Sequence, residues 1–141
     1  MNVKVKKLHK NAVIPKYAHA SDAGLDLTCV EMCTDEKGNL VYDTGLAFEI
    51  PYGYVGLLFP RSSVCKKDLA LTNCVGVIDS GYRGPVKMKF RVNPVETAFL
   101  YGVGDRIGQL IIMPYPKVQL QEVEELGSSD RGVGGYGSTG N

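Results

Sequence analysis

Glycine and proline set the grain of this chain. Seventeen Gly and seven Pro are spread through 141 residues, they punctuate short segments of β-type pattern, and no stretch of a dozen residues keeps a helical apolar period. The chain therefore reads as mostly β. The clearest strand is Val86-Lys87-Met88-Lys89-Phe90-Arg91-Val92, where four apolar residues alternate with three cations, so that one face meets a core and the other meets water. Residues 3 to 8 and 118 to 123 carry weaker versions of the same alternation. Gly53 to Phe59 and Ile107 to Met113 are more continuously apolar, as expected of strands covered on both faces by a second sheet or a neighbouring subunit. A closed or sandwiched β architecture follows. One or two helical turns are expected after Pro60, in Ser62 to Asp68.

A chain of this length is one domain, large enough to bury about two thirds of its unfolded surface without disulfides or a structural metal. The sixteen Lys and Arg against fifteen Asp and Glu leave a formal charge of +1, which argues against a broad, sequence-blind grip on nucleic acid. Any polyanion it binds is small and locally held. The first residues alternate charge with apolar side chains and offer no signal-peptide core, and no apolar run reaches membrane-spanning length. The expectation is a soluble cytoplasmic protein without a membrane partner. Cys29, Cys33, Cys65 and Cys74 form no C-x-x-C pair, and His9 and His19 are not spaced to complete a zinc site with them. Buried or half-buried free thiols are expected.

From Gly127 the composition changes. The last fifteen residues hold six Gly, three Ser and a Thr, with Arg131 and Tyr136 as the large side chains. Such a segment is too poor in apolar area to order itself, which divides the chain into a β domain over 1–126 and a Gly-rich arm over 127–141.

Five clusters set Gly or Pro against Asp, Arg, Ser or Gln. They are Ser21-Asp22-Ala23-Gly24-Leu25-Asp26-Leu27; Pro60-Arg61-Ser62-Ser63; Asn73 to Gly84, with a hairpin look and a turn at Ser80-Gly81; Gly104-Asp105-Arg106-Ile107-Gly108-Gln109-Leu110; and Arg131 to Gly140. Each has a purely structural reading. Asp22 and Asp26 suit turns and edges, Arg61 suits an ion pair with Asp105 or Asp26, and Gly76, Gly81 and Gly84 suit positive φ. Together they suggest more. Gly-flanked hydroxyls and amides, as in Ser62-Ser63 and Gly137-Ser138-Thr139-Gly140, suit phosphate oxygens, and Arg131 adds a two-pronged cationic donor. A hard divalent ion arriving with a triphosphate is held through one carboxylate and several waters.

In this order and at these separations, the five clusters resemble the five signature motifs of the trimeric dUTPase family. The resemblance covers the chain from about residue 8 to the C-terminus. It implies a distorted β-barrel or jelly-roll subunit of the β-clip type, a homotrimer with three shared active sites, and magnesium-dependent cleavage of dUTP to dUMP and pyrophosphate. That activity limits uracil incorporation into DNA and supplies dUMP for dTMP synthesis. In the family, the first, second and fourth motifs of one site come from one subunit, the third from another and the fifth from the last, so the arm becomes a lid that orders over nucleotide.

The resemblance also implies roles. Asp79 activates the water that attacks the α-phosphorus in line, and touches the sugar 3′-hydroxyl. Tyr82 packs where a ribose carries its 2′-hydroxyl. Asn73 and the hairpin main chain at Gly76, Val77 and Ile78 read uracil, with Met88 also placed against the substrate. Arg61 steadies Asp26, which holds a magnesium-bound water, while Ser62, Ser63 and Gln109 face the phosphates. Arg131, Gly137, Ser138 and Thr139 close over the polyphosphate, and Tyr136, where the family most often has Phe, stacks on the base. A dCTP deaminase on the same fold needs a carboxylate beside the pyrimidine, and residues 84 to 95 contain no Asp or Glu. A dUTPase-like protein with an added regulatory partner stays open on sequence.

Overall fold

In the computed structural model, which describes residues 1–135, strands form where apolar and polar residues alternate or where an apolar run is bounded by turns. They are β1 (Lys4–Lys7), β2 (Leu25–Thr28), β3 (Glu31–Thr34), β4 (Leu40–Asp43), β5 (Leu46–Glu49), β6 (Tyr54–Phe59), β7 (Leu69–Leu71), β8 (Gly76–Ile78), β9 (Lys87–Val92) and β10 (Arg106–Pro114). The helical turn expected after Pro60 is a 3-10 turn over Ser62–Lys66. No described helix is long and apolar enough to cross a membrane.

The all-β expectation holds, with the strands shared among three sheets. One sheet runs β2-β10-β6-β8, a second runs β3-β4-β9-β7, and β1 pairs with β5 in a ribbon. No closed barrel forms among the described residues. The two apolar runs found in the sequence, β6 and β10, are antiparallel neighbours with Gln109 opposite Phe59 and Ile112 opposite Gly56. In β9 the alternation is realised as read: Met88 and Phe90 are buried, and Lys87, Lys89 and Arg91 are exposed.

The core lies between the sheets. Tyr42, Phe90 and Tyr101 meet edge to face, with ring centroids 5.6 to 6.2 Å apart. The buried Tyr42 hydroxyl donates to the Tyr101 carbonyl at 3.1 Å, and burial pushes its pKa up to about 12. Leu27, Leu46, Ile107 and Leu110 are also sealed from water, each contributing about 1.5–3 kcal/mol relative to exposure.

Three expectations are corrected. Residues 118 to 123 form no strand and are exposed, with Leu120 at 92 %; their alternation lacks a hydrogen-bonding partner among the described residues, and a strand needs one. Within Asn73 to Gly84 the hairpin look is not realised as a paired hairpin, because the strand it holds, β8, pairs with β6 and not with a second strand of the same cluster. Among the cysteines only Cys29 is buried; Cys33, Cys65 and Cys74 are exposed. Burial raises the Cys29 thiol to about 11.

Candidate active site

The motif residues fall into two clefts. The first, of about 490 Å³, opens beside β2 and β10 and is lined by Ala18, His19, Asp22, Ala23, Gly24, Asp26, Arg61, Ser62, Arg106, Gln109 and Ile111. Sheet register builds it. Gln109 on β10 faces Asp26 on β2 on one side and Phe59 on β6 on the other, so three motifs distant in sequence meet at one end of the sheet. Asp26 accepts Arg61 Nε at 2.8 Å on Oδ1 and Arg106 Nη1 at 2.8 Å on Oδ2. Arg61 and Asp26 are half-buried, so this pair is held more firmly than a fully exposed one. Asp105 takes no part in it and instead accepts the Gly102 amide at 2.8 Å. Gln109 donates Nε2 to the Pro60 carbonyl at 3.0 Å, and its amide lies so close over Gly24 that a β-carbon there would collide with Oε1.

The second cleft, of about 440 Å³, is lined by Val77, Ile78, Asp79, Tyr82, Pro85, Lys87 and Lys89. Asp79 follows β8 and starts a turn closed by Tyr82 N–H to the Asp79 carbonyl at 3.0 Å, as the Ser80-Gly81 signal predicted. Its carboxylate is exposed and bonds to no described residue, which leaves it available to a water. Tyr82 is steadied by its hydroxyl donating to the Pro85 carbonyl at 3.1 Å. Gly76, Gly81 and Gly84 do not have positive φ, contrary to the conformational reading. The work of Gly84 is steric: a β-carbon there would lie 2.6 Å from Tyr82 Cζ.

The structure thus brings Asp26, Arg61, Ser62 and Gln109 together in one cleft, and Val77, Ile78, Asp79 and Tyr82 in another, with no lining residue in common. Other expected residues stand apart. Ser63 lines neither cleft: its hydroxyl turns inward, accepting from Arg61 Nη1 at 3.4 Å and lying 3.3 Å from the Tyr101 hydroxyl. Asn73 is exposed in the turn before β8, and Gly76 is buried opposite Leu58. Arg131 lines neither cleft; its Nε donates to the Gly134 carbonyl at 2.9 Å within an exposed turn. Tyr136, Gly137, Ser138 and Thr139 lie outside the described residues.

Met88 is a correction. At 1 % exposure it belongs to the core, and its neighbours Lys87 and Lys89 line the Asp79 cleft in its place. The alternation of β9 already put Met88 on the core face, so the signal was present. Lys87 donates to Asp43 Oδ2 at 2.7 Å, a hydrogen bond that raises the lysine pKa and keeps it cationic. His19, Asp22 and Arg106 are further cleft residues to which the motif reading gave no ligand role.

Comparison with known proteins shows the family of the chain. A family model described as dUTPase matches residues 10–140. The deoxyuridine 5'-triphosphate nucleotidohydrolase of Clostridium acetobutylicum is 41% identical over 142 aligned positions, covering 99% of this chain and 97% of that protein. The dUTPase of Staphylococcus bacteriophage 80alpha, solved with dUPNHPP, superposes with a TM-score of 0.80 at 33% identity, covering 99% of each chain. A variant of the dUTPase from phage phi11 of S. aureus, whose structure details the coordination of a structural Mg(II) ion, gives 0.72 at 30% identity over 89% of this chain and 98% of that one. The chain belongs to the dUTPase family.

Proposed function

We propose that this protein hydrolyses dUTP to dUMP and pyrophosphate as a homotrimer with shared sites. The observation that carries the reading is the division of the motif residues between two clefts. One holds a free carboxylate beside an aromatic ring, suited to a nucleoside and an attacking water. The other holds arginines, a hydroxyl and an amide, suited to phosphates. Each is half of a nucleotide site, and a neighbouring chain supplies the missing half.

In this reading the deoxyribose packs on Tyr82, which leaves no room for a 2′-hydroxyl. Uracil lies against Val77 and Ile78, near the main chain after Asn73. Asp79 accepts a proton from the water that attacks the α-phosphorus, and pyrophosphate departs. Ser62 and Gln109 orient the phosphate oxygens, and Arg61 acts through Asp26. Arg131, Tyr136, Gly137, Ser138 and Thr139, on a neighbour's arm, close the site and exclude water from the developing charge.

The donor set suits magnesium in an outer-sphere role. The described residues form no cluster of three or more His, Cys, Asp and Glu able to cage a metal, whereas Asp26, each oxygen holding one arginine hydrogen bond, keeps lone pairs for a metal-bound water. When bound, the ion neutralises charge building on the phosphates.

The test is pyrophosphate release from each deoxynucleoside triphosphate, with and without magnesium. dUTP is cleaved far faster than the others and only with the ion. Equal turnover of dCTP or dTTP, or none of dUTP, defeats the reading.

A further inference from the structure

The cleft at Asp26 carries no net charge of its own while His19 is neutral, because Arg61 and Arg106 are balanced by Asp22 and Asp26. Both guanidinium groups are also already bonded to Asp26, so their donors are partly engaged before a ligand arrives. Such a cleft attracts a polyphosphate only weakly through its charge. His19 is the lining group able to change the balance, since an imidazole exists in both neutral and cationic forms.

The local geometry fits that part. His19 sits in a closed turn: its backbone N–H donates to Asp22 Oδ2 at 2.8 Å, its ring Nδ1 lies 3.3 Å from the same oxygen, and the Asp22 N–H returns to the His19 carbonyl at 3.1 Å. The imidazole is therefore oriented with Nδ1 toward Asp22, and Nε2 bonds to no described residue. A protonated imidazole donates from both nitrogens, so it holds Asp22 with one and offers the other to a ligand. Asp22 from its own turn is in contact with it, and the other polar groups of the cleft are Asp26 from β2, Arg61 and Ser62 from the segment after β6, and Arg106 and Gln109 from β10.

We infer that His19 is a proton-dependent ligand of the polyphosphate, giving the cleft a net positive charge when protonated and donating Nε2–H to a terminal phosphate oxygen. The inference rests on reading this cleft as the phosphate end of the site. A bound anion favours the cationic form of the ring, so the added affinity grows as the solution becomes more acidic.

The experiment uses the full chain as parent, His19→Gln and His19→Lys. It measures kcat and KM for dUTP with saturating magnesium, and calorimetric binding of pyrophosphate, at about pH 6 and about pH 8.5. Ratios of variant to parent at one pH cancel the titration of the phosphates themselves. At the lower pH, His19→Gln raises KM and the pyrophosphate Kd about threefold to tenfold while kcat stays within about twofold, and at the higher pH the two proteins converge. His19→Lys keeps tight binding at the higher pH, beyond the parent. A Gln variant that differs from the parent equally at both pH values, as a structural turn residue would, or that never differs, overturns the inference. If the parent does not cleave dUTP at all, the assigned activity fails separately, and the pyrophosphate arm still decides on His19.

Discussion

Arg61 reaches from the segment after β6 to Asp26 on β2, joining the two strands that flank β10 through a 2.8 Å bond from Nε to Oδ1. Replacing Arg61 with Met leaves Asp26 with Arg106 alone. The expected cost is about 1–3 kcal/mol in denaturant unfolding, with lower activity because Asp26 loses its orientation. A double-mutant cycle with Asp26→Asn should show a coupling above about 0.5 kcal/mol. Additive single effects would mean that the bond does not hold the cleft together.

Asp79→Asn should keep the fold and bind nucleotide but lose turnover by about 10²–10⁴-fold or more. The carboxylate makes no bond to the described residues, so the midpoint of thermal unfolding should barely move. Turnover within a few fold of the parent removes Asp79 from the mechanism.

Sugar discrimination should depend on the contact between Tyr82 and Gly84. Tyr82→Ala narrows the preference for dUTP over UTP. Gly84→Ala should do so too, because its new methyl would fall 2.6 Å from Tyr82 Cζ and push the ring aside. The ring is partly exposed and can move, so stability should change little. Unaltered selectivity in both variants counts against the steric account.

Asp35 sits in the β3–β4 turn, where the Asn39 side chain, and next to it Lys89, hold its carboxyl down to about 2. The folded value lies below the unfolded one, so its stabilising contribution is present above the ordinary Asp range, about 4, and disappears as pH falls toward 2. An NMR titration should find that low midpoint, and Asn39→Ala should raise it. A midpoint in the ordinary range for the parent contradicts the assignment.

Deleting residues 128 to 141 should leave the thermal midpoint nearly unchanged, since residues 128–135 bury almost nothing in the protomer, while activity collapses. Mixing this chain with full-length Asp79→Asn should restore activity in some assemblies if the Asp79 cleft and the arm of one site belong to different chains. Mixtures that stay inactive place both on one chain.

Local pattern carried much of this structure. Alternation named β9, apolar runs named β6 and β10, and Pro60 followed by Ser62-Ser63 marked the 3-10 turn. Long-range pairing was illegible. Leu71 and Gly76 are close in sequence, yet their strands enter different sheets, a choice set by packing partners far along the chain. Val118 and Leu120 alternate like strand residues, but a pattern cannot supply the partner. At the site, motif identity located Asp26, Arg61, Ser62, Gln109, Asp79 and Tyr82 at cleft walls. It misplaced Met88 where the pleat of β9 gave the better answer, and it gave His19 and Lys87 no part because their positions in the walls of the two clefts follow from folding and not from motif spacing.

The nine residues of β10 form the central seam of their sheet. Ile107 and Leu110 from this seam are sealed in the core, while Arg106 and Gln109 from the same seam line the Asp26 cleft. Loosening β10 would therefore melt the interior and scatter the phosphate-side groups in one cooperative event. Along a heating ramp, residual catalysis should track the folded fraction, making enzymatic rate a gauge of native population for this half of the site.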